Sequence, residues 1–179
     1  PLKITITNYD GEEKLSFDVN PLKPECGTRD IMFTGSVYID RDDFALVPPP
    51  KYKRLTVGGT VRLKGAYIVR CDEAVQNENG EVTELKCTYF PESRSGSEQP
   101  CAVKAKGVIQ WVDCKYGKDA EFRQYESLLK DEAYPDQDYA ERLNYDSEHV
   151  FAGKAEPYLA EAAEDTPFQL SLIHISEPT

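Results

Sequence analysis

Residues 51–70 gather basic side chains that could bind a polyanion. This stretch, KYKRLTVGGTVRLKGAYIVR, holds six Lys or Arg residues and no Asp or Glu, although the whole chain has a net charge of −11. A second basic segment, VKAKG at 103–107, adds Lys104 and Lys106. Ammonium and guanidinium groups collected on one surface attract phosphates by charge and by hydrogen bonding. The two segments therefore predict a phosphate-binding surface.

Strand periodicity predicts how these cations are presented. Successive side chains of a strand point to opposite faces, so Arg62 and Lys64 would share one face, opposite Val61 and Leu63. Lys104 and Lys106 would repeat this arrangement on a second strand. Two such strands would form a groove for a phosphate backbone. Four tyrosines near them in the sequence could stack on unpaired bases: Tyr38, Tyr52, Tyr67 and Tyr89.

The same pattern also has a purely structural explanation. Outward Lys and Arg side chains are common on strands because they keep sheets soluble and protect their edges, and Tyr is an ordinary strand residue. These features alone leave both interpretations open. Trp111, which follows Ile109 and precedes Val112, is predicted to lie in the core.

Charge divides the chain into two regions. Residues 1–118 contain 17 Lys+Arg and 17 Asp+Glu, whereas residues 119–179 contain 4 and 15. The acidity of the whole chain therefore comes from its last third, and the basic stretch belongs to a neutral region with sorted charge. No apolar run approaches the ~20 residues of a membrane helix, so no membrane partner is predicted.

The sequence contains no recognisable catalytic or metal-binding motif. It lacks the glycine-rich phosphate loops, H-E-x-x-H and G-x-S-x-G. Five cysteines, without C-x-x-C and with only two histidines, argue against a disulfide framework and a zinc site. We therefore expect reduced thiols in a cytoplasmic protein, mostly as small core residues, and no cofactor bound to this chain.

Hydrophobic alternation predicts a mainly β fold. LKITIT at 2–7 and KLSFDV at 14–19 alternate apolar and polar residues, and Asn79-Gly80 between two β-rich runs is a strong hairpin signal. About eight strands are expected before residue 115, in antiparallel β-structure closed as a barrel or sandwich. Beyond residue 118 the sequence predicts a short helix near 137–144 and a strand in HVFAGKAEP, while EFRQYESLL is ambiguous.

Several segments, in order, closely resemble the C-terminal part of bacterial glutaminyl-tRNA synthetase. They are PLKITITNY, CGTRDIMFTGSVYIDRDDF, YKRLTVGGTVRLKGAYIVRC, GEVTELKCTYFPESRSG, VKAKGVIQWV, FRQYESL and GKAEPYL, and the resemblance covers about residues 1–169. It implies two antiparallel, ribosomal-protein-like anticodon-binding β-barrels without the catalytic α/β domain. Residues 1–118 would form the proximal barrel, lacking its closing strands, and 119–169 would begin the distal barrel.

The resemblance also implies partners. They are the anticodon stem-loop of tRNA(Gln) and the catalytic domain of the same polypeptide, which would use ATP to attach glutamine to the tRNA, in a monomeric cytoplasmic ligase. One alternative is the corresponding barrel of a glutamyl-tRNA synthetase of archaeal or eukaryotic type. Another is a free-standing β-barrel module that binds RNA or protein.

Candidate site residues follow from matching motifs. The resemblance makes Arg29 of CGTRD a reader of an anticodon base, and it places Lys104 and Lys106 beside the anticodon loop. Further basic positions match in YKRL and VRLKGAY: Lys53, Arg54, Arg62 and Lys64. Arg41 and Asp43 are expected to be structural, as an ion pair or cap. The family's Gly-Arg is replaced by Ala102-Val103, and Arg94 could supply the missing cation.

The last ten residues depart from this pattern. Where the family continues into further strands, the chain reads LSLIHISEPT at 170–179. This string resembles translated sequencing-adaptor sequence. We therefore expect residues 170–179 to be a non-native tail, and we exclude them from fold arguments.

Overall fold

A computed structural model describes residues 1–20, 22–97, 101–130 and 138–164 of the chain. The chain divides into two compact units, of which the first comprises Pro1–Lys118 and Ala155–Thr179 and the second comprises Asp119–Lys154. The predicted assignment of residues 1–118 and 119–169 to two barrels stays a prediction. The predicted tail, 170–179, lies outside the described residues.

The fold is mainly β, as predicted. Its strands are β1 Leu2–Ile6, β2 Glu13–Asp18, β3 Thr28–Phe33, β4 Ser36–Ile39, β5 Thr60–Leu63, β6 Ile68–Gln76, β7 Val82–Phe90, β8 Val108–Ile109, β9 Val112–Asp113, β10 Lys118–Tyr125 and β11 Glu148–Ala155. Seven of these strands form a sheet in the order β8-β5-β6-β7-β1-β4-β9, which curls into a half-barrel. Strand β2 pairs with β3, and β10 pairs with β11.

Most strand pairings in the described part of the chain are antiparallel, but two are parallel. Strand β1 runs parallel to β7, with Ile4 opposite Leu85, and β5 runs parallel to β8, with Leu63 opposite Ile109. In both cases the paired strands are far apart in sequence, and a parallel pair needs a long connection between its strands. Short-range turn signals therefore predicted the hairpins and not these two pairings.

The apolar residues that alternate with polar ones along the strands lie in the core, as the sequence predicts. In β1, Leu2, Ile4 and Ile6 are buried while Lys3 and Thr5 are half-buried. In β5, Val61 and Leu63 are fully buried, opposite the half-buried Arg62. Trp111 is also buried, and its Nε1 donates to the Lys64 carbonyl oxygen at 2.9 Å.

The predicted hairpin at Asn79-Gly80 is confirmed. The Gly80 N–H donates to the Asn77 carbonyl at 3.0 Å, and Gly80 adopts a φ of 81° in the left-handed region. The segment TVRLKGAYIVR is not one continuous strand. It contains a turn between β5 and β6, where Gly65 has a φ of 69°. Lys64 therefore lies in a turn, and Gly65 has no Cβ that would collide with the Phe17 ring.

The acidic part of the chain contains a two-stranded ribbon and one-turn helices. EFRQYESLL begins within β10, so its first half is a strand. The Phe122 and Phe151 rings stack with centroids 5.6 Å apart between β10 and β11. The predicted helix near 137–144 is the single turn α1, Tyr139–Arg142, and α2 spans Pro157–Ala160. None of the helices in the described part of the chain is long and apolar enough to cross a membrane.

Candidate nucleic-acid interface

Three lysines cluster at the β8 edge of the seven-stranded sheet. Before β8, the chain runs beside β5, where the Lys106 N–H donates to the Thr60 carbonyl at 2.9 Å and Thr60 Oγ1 donates to the Lys104 carbonyl at 2.9 Å. Lys104 and Lys106 are exposed there, with the less exposed Ala105 between them. The predicted alternation is thus present, although the segment is extended chain and only Val108–Ile109 is a strand.

Lys53 joins these lysines because a glycine lets two backbones approach closely. A Cβ on Gly107 would lie 2.2 Å from the Lys53 carbonyl oxygen, so only glycine fits at this position. The side chain of Lys53 is exposed. We call Lys53, Lys104 and Lys106 the basic edge. Lys64, half-buried, lies just beyond β5, at the start of the turn, where its N–H donates to the Ile109 carbonyl at 3.0 Å.

The charges of the basic edge have no acidic partner within the described residues. No ion pair among those residues involves Lys53, Lys64, Lys104 or Lys106. On the outer face of β1, β6 and β7, by contrast, lysines are paired, as in Lys86–Glu73 at 2.9 Å and Lys3–Glu84 at 3.3 Å. Unpaired ammonium groups can neutralise phosphates without first breaking an ion pair.

The hydrogen bonds and ion pairs on this face shift the pKa values of Glu84 and Lys86. The Thr5 hydroxyl donates to Glu84 Oε1 at 2.5 Å, and this bond together with the Lys3 ammonium lowers the pKa of Glu84. The hydrogen bond and charge of Glu73 raise the pKa of Lys86. Each group therefore stays ionised and is compensated by its own partner, whereas no ion pair among the described residues compensates the lysines of the basic edge.

Two of the predicted basic residues bind partners within the fold. Arg54 is only 19% exposed and forms an ion pair with the buried carboxylate of Asp43. Arg62 Nη1 donates to the Ser93 carbonyl at 2.6 Å and to Ser95 Oγ at 3.0 Å. Their place in the predicted RNA-binding set is not tested by these contacts. Both guanidinium groups nevertheless hold loops against the sheet.

The two residues expected to be structural in IDRDDF, Arg41 and Asp43, each bind another part of the chain. Asp43 pairs with Arg54 and not with Arg41, whereas Arg41 Nη1 donates to the Val82 carbonyl at 2.9 Å. The cap is supplied by Asp40, whose side chain accepts from the Asp42 N–H at 3.1 Å. Arg41 and Asp43 therefore have structural contacts, and their partners, Val82 and Arg54, lie outside the motif, whereas the cap at Asp40 lies within it.

Arg29 lies apart from the basic edge, in a cage formed by acidic and aromatic side chains. From β3, its Nε donates to Glu156 Oε1 at 2.7 Å, and its Nη1 donates to the Asp18 carbonyl at 2.5 Å. The guanidinium also lies 5.8 Å from the Phe17 ring centroid and 5.9 Å from that of Tyr158. The Arg29 side chain is 19% exposed. Within the chain, therefore, this cation is already compensated.

Sequence reasoning did not find the members of this cage. Glu156 and Tyr158 belong to GKAEPYL, which was recognised as a family-like segment but was not connected with Arg29. No local spacing rule relates positions 127 residues apart in the sequence. Phe17 could have been found, because β2 and β3 form an antiparallel hairpin in which Phe17 is opposite Arg29.

Arg94, the proposed replacement for a missing cation, is half exposed and lies at a cavity. It lies 3.7 Å from Glu13 and lines a space of about 420 Å³ together with Arg62 and the serines of the same loop. The cavity is open and mostly polar in its side chains. Arg94 is thus accessible, but its charge is partly compensated by Glu13.

Tyrosines near the basic stretch are mostly part of the fold. Tyr67 is 7% exposed and donates its hydroxyl hydrogen to Glu13 Oε1 at 2.6 Å, so the prediction that it stacks on a base is wrong. Burial, with Glu13, raises the pKa of Tyr67. Tyr89 packs edge-on against Tyr67, with centroids 5.1 Å apart. Tyr52 is half-buried and donates to the Asp42 carbonyl at 3.0 Å.

A curled β-sheet whose edge carries three exposed lysines, without an acidic partner among the described residues, is typical of a nucleic-acid-binding module. Comparison with known families agrees with this class. Residues 1–90 match the family described as tRNA synthetases class I (E and Q), anti-codon binding domain, and residues 108–171 match a second model with the same description. The chain belongs to this family.

Several curated relatives that match this chain bear the name glutamine–tRNA ligase. A glutamine–tRNA ligase of Clostridium perfringens is 44% identical over 174 residues, which are 95% of this chain and 31% of the relative. Ligases of the same name from Nitrosomonas europaea and Pseudomonas syringae pv. tomato are 37% and 39% identical, over 94% of this chain. The chain therefore spans slightly less than a third of these relatives.

Proposed function

We propose that this chain is the anticodon-binding region of a glutamine–tRNA ligase and that it binds the anticodon stem-loop of tRNA(Gln). Support comes from the family match and from relatives that bear this name. The observation that carries the proposal is the basic edge, whose three exposed lysines have no acidic partner among the described residues. In a chain with 32 Asp+Glu residues, such a surface suits a phosphate backbone.

The proposed contacts divide into two kinds. Lys53, Lys104 and Lys106, continued by Lys64, bind phosphates, which position the RNA but carry no sequence information. Arg29 contacts an anticodon base, because a guanidinium can make two directed hydrogen bonds to one base edge. An anticodon base that binds Arg29 competes with Glu156 for its guanidinium. Binding therefore replaces the ion pair with Glu156 by hydrogen bonds to the base. Arg54 and Arg62 support the loops that carry the basic edge.

The rest of the enzyme is also part of the proposal. A catalytic α/β domain in the same polypeptide attaches glutamine to the tRNA and uses ATP, while the present chain selects the tRNA. The ligase acts in the cytoplasm as a monomer. No group that could bind ATP is assigned to the present chain.

A glutamate–tRNA ligase is the second candidate, because the family description covers both E and Q enzymes. Binding to two RNA hairpins separates the candidates: the anticodon stem-loops of a glutamine tRNA and of a glutamate tRNA. We expect tighter binding of the glutamine hairpin. Equal binding, or preference for the glutamate hairpin, would remove the glutamine assignment.

The role of Arg29 has its own test in the same assay. Replacing Arg29 with Ala should cost about 1–3 kcal/mol of binding for the preferred hairpin and much less for the other. Arg29→Lys keeps the charge but loses the directed pair of hydrogen bonds, so it should behave like Ala. Arg70→Ala is the matched control, because Arg70 is paired with Asp72 on the sheet at 2.7 Å. If Arg29→Ala weakened both hairpins equally, Arg29 would be a phosphate or structural residue.

A further inference from the structure

Two cysteines face each other across adjacent strands of the half-barrel. Cys71 of β6 is directly opposite Cys87 of β7 in their antiparallel pairing. Both side chains are fully buried, and both thiols are free. Neither residue has a role in the proposed RNA interface.

The backbone hydrogen bonds show which kind of pair this is. The Cys71 N–H donates to the Gly59 carbonyl at 3.1 Å, and the Cys71 carbonyl accepts from the Gly58 N–H at 2.7 Å. The Cys87 carbonyl accepts from the Thr7 N–H at 2.8 Å. Because these groups point to the strands on either side, Cys71 and Cys87 form a non-hydrogen-bonded antiparallel pair.

This geometry suits a disulfide. Opposite residues of a non-hydrogen-bonded pair have Cα atoms about 4.5 Å apart, and their side chains are the closest in the sheet. Disulfides span Cα separations of about 4.4–6.8 Å. A bond between the two sulfur atoms therefore requires little movement of the backbone.

The two thiols also influence each other chemically. A hydrogen bond with Cys87 lowers the pKa of Cys71, whereas the same hydrogen bond, together with burial, raises the pKa of Cys87. The register shift next to Cys71 makes this thiol the first of the pair that a reagent reaches, so Cys71 is the attacking group. A metal site does not explain the pair, because no group of three or more His, Cys, Asp or Glu suited to a metal occurs within the described residues.

We propose that Cys71 and Cys87 are an oxidisable dithiol that a small disulfide converts into a cross-strand disulfide. The Cys71 thiolate attacks one sulfur of the small disulfide, which forms a mixed disulfide and releases one thiol. Cys87, after losing its proton, attacks the Cys71 sulfur and releases the second thiol. The protein loses two protons and two electrons, which the small disulfide gains.

Burial determines how this reaction proceeds. The exposed Cys26 reacts directly, whereas a reagent reaches Cys71 only when the middle of β6 opens locally. The register shift between Cys71 and Glu73 lies at this position and interrupts the β6–β7 ladder there. The cross-strand link is therefore expected to form more slowly than adducts at exposed thiols, but without global unfolding.

The test uses the full chain with Cys26, Cys101 and Cys114 replaced by Ser, so that only the proposed pair remains. It is incubated in native buffer with oxidised glutathione and then digested with trypsin without reduction. Cleavage after Arg70 and Lys86 puts Cys71 and Cys87 on separate peptides. We expect a linked pair of these peptides, loss of two hydrogens from the intact mass, and reversal by dithiothreitol.

Two single variants in the same background, Cys71→Ala and Cys87→Ala, are the matched controls and should give only a mixed disulfide with glutathione. The proposal is overturned if the background protein keeps two alkylatable thiols, or carries glutathione on both, without a linked peptide. Should either Ala variant not fold, the linked peptide of the background protein still decides the question. A link that forms only in denaturant also refutes the proposal.

Discussion

Removing the charges of the basic edge should change the salt dependence of RNA binding. Lys53, Lys104 and Lys106 are exposed, and no described residue neutralises them, so each can displace counterions from one phosphate. Each such contact contributes about 0.7–0.9 to the slope of log affinity against log salt concentration. Replacing all three with Ala should therefore make this slope less steep by about 2–3.

The same arithmetic gives the change in affinity. Between 50 and 200 mM KCl, the advantage of the unmodified chain over the triple variant should shrink about 20- to 40-fold. Filter binding of an anticodon stem-loop RNA at several KCl concentrations measures both slopes. Far-UV circular dichroism and thermal melting check that the variant is folded, and we expect no large change because the three side chains are exposed.

A matched control removes the same net charge elsewhere. Lys3, Lys14 and Lys86 are paired with Glu84, Asp30 and Glu73, respectively. Their triple replacement by Ala should change the slope by less than about one unit, because these ammonium groups are already compensated. Equal slopes for the two triple variants would show that net charge, and not the basic edge, governs binding. An unchanged slope in the first variant would refute phosphate contact at this edge altogether.

Two further predictions concern stability. Asp113 is 1% exposed and accepts from Thr34 N and Oγ1 at 2.8 Å and from Lys115 N at 2.8 Å. Asp113→Ala should lower the free energy of unfolding, measured in urea, by at least about 3 kcal/mol, because buried donors lose a charged acceptor. The exposed Asp10→Ala is its control, and a comparable loss there would contradict this explanation. Burial raises the pKa of Tyr9 to about 12, so the folded state keeps a proton that the unfolded state loses above about pH 10. Stability should therefore fall as the pH rises from about 10 to 12, and Tyr9→Phe should flatten this fall in urea unfolding at a series of pH values; an identical fall would assign it to other groups.

Local patterns in the sequence determined most of the secondary structure. The alternation of LKITIT places Leu2, Ile4 and Ile6 in the core, and Asn79-Gly80 lies in the turn that connects β6 with β7. These features depend on neighbours within a few residues, so spacing rules detect them. The turn at Gly65 was not predicted because a lone glycine between Lys64 and Ala66 does not by itself distinguish a turn from a strand.

Pairings over long sequence distances were decided by the tertiary structure. Lys53 meets the segment at 104–107 through the close approach at Gly107, and β5 runs parallel to β8. No short-range signal encodes either contact. The basic edge is therefore assembled from two predicted segments whose proximity the sequence alone did not establish.

The sequence determined that this chain carries sorted basic charge within a β-fold, and its motifs identified the family. Only the tertiary structure decided which cations are free to bind a ligand. In the sequence, Arg29 and Lys106 are equivalent positive charges, but folding brings Glu156 to 2.7 Å from Arg29 and leaves Lys106 without an acidic partner among the described residues. The physical reason is that compensation of a charge depends on distances of a few ångströms in space, which separation along the chain does not predict.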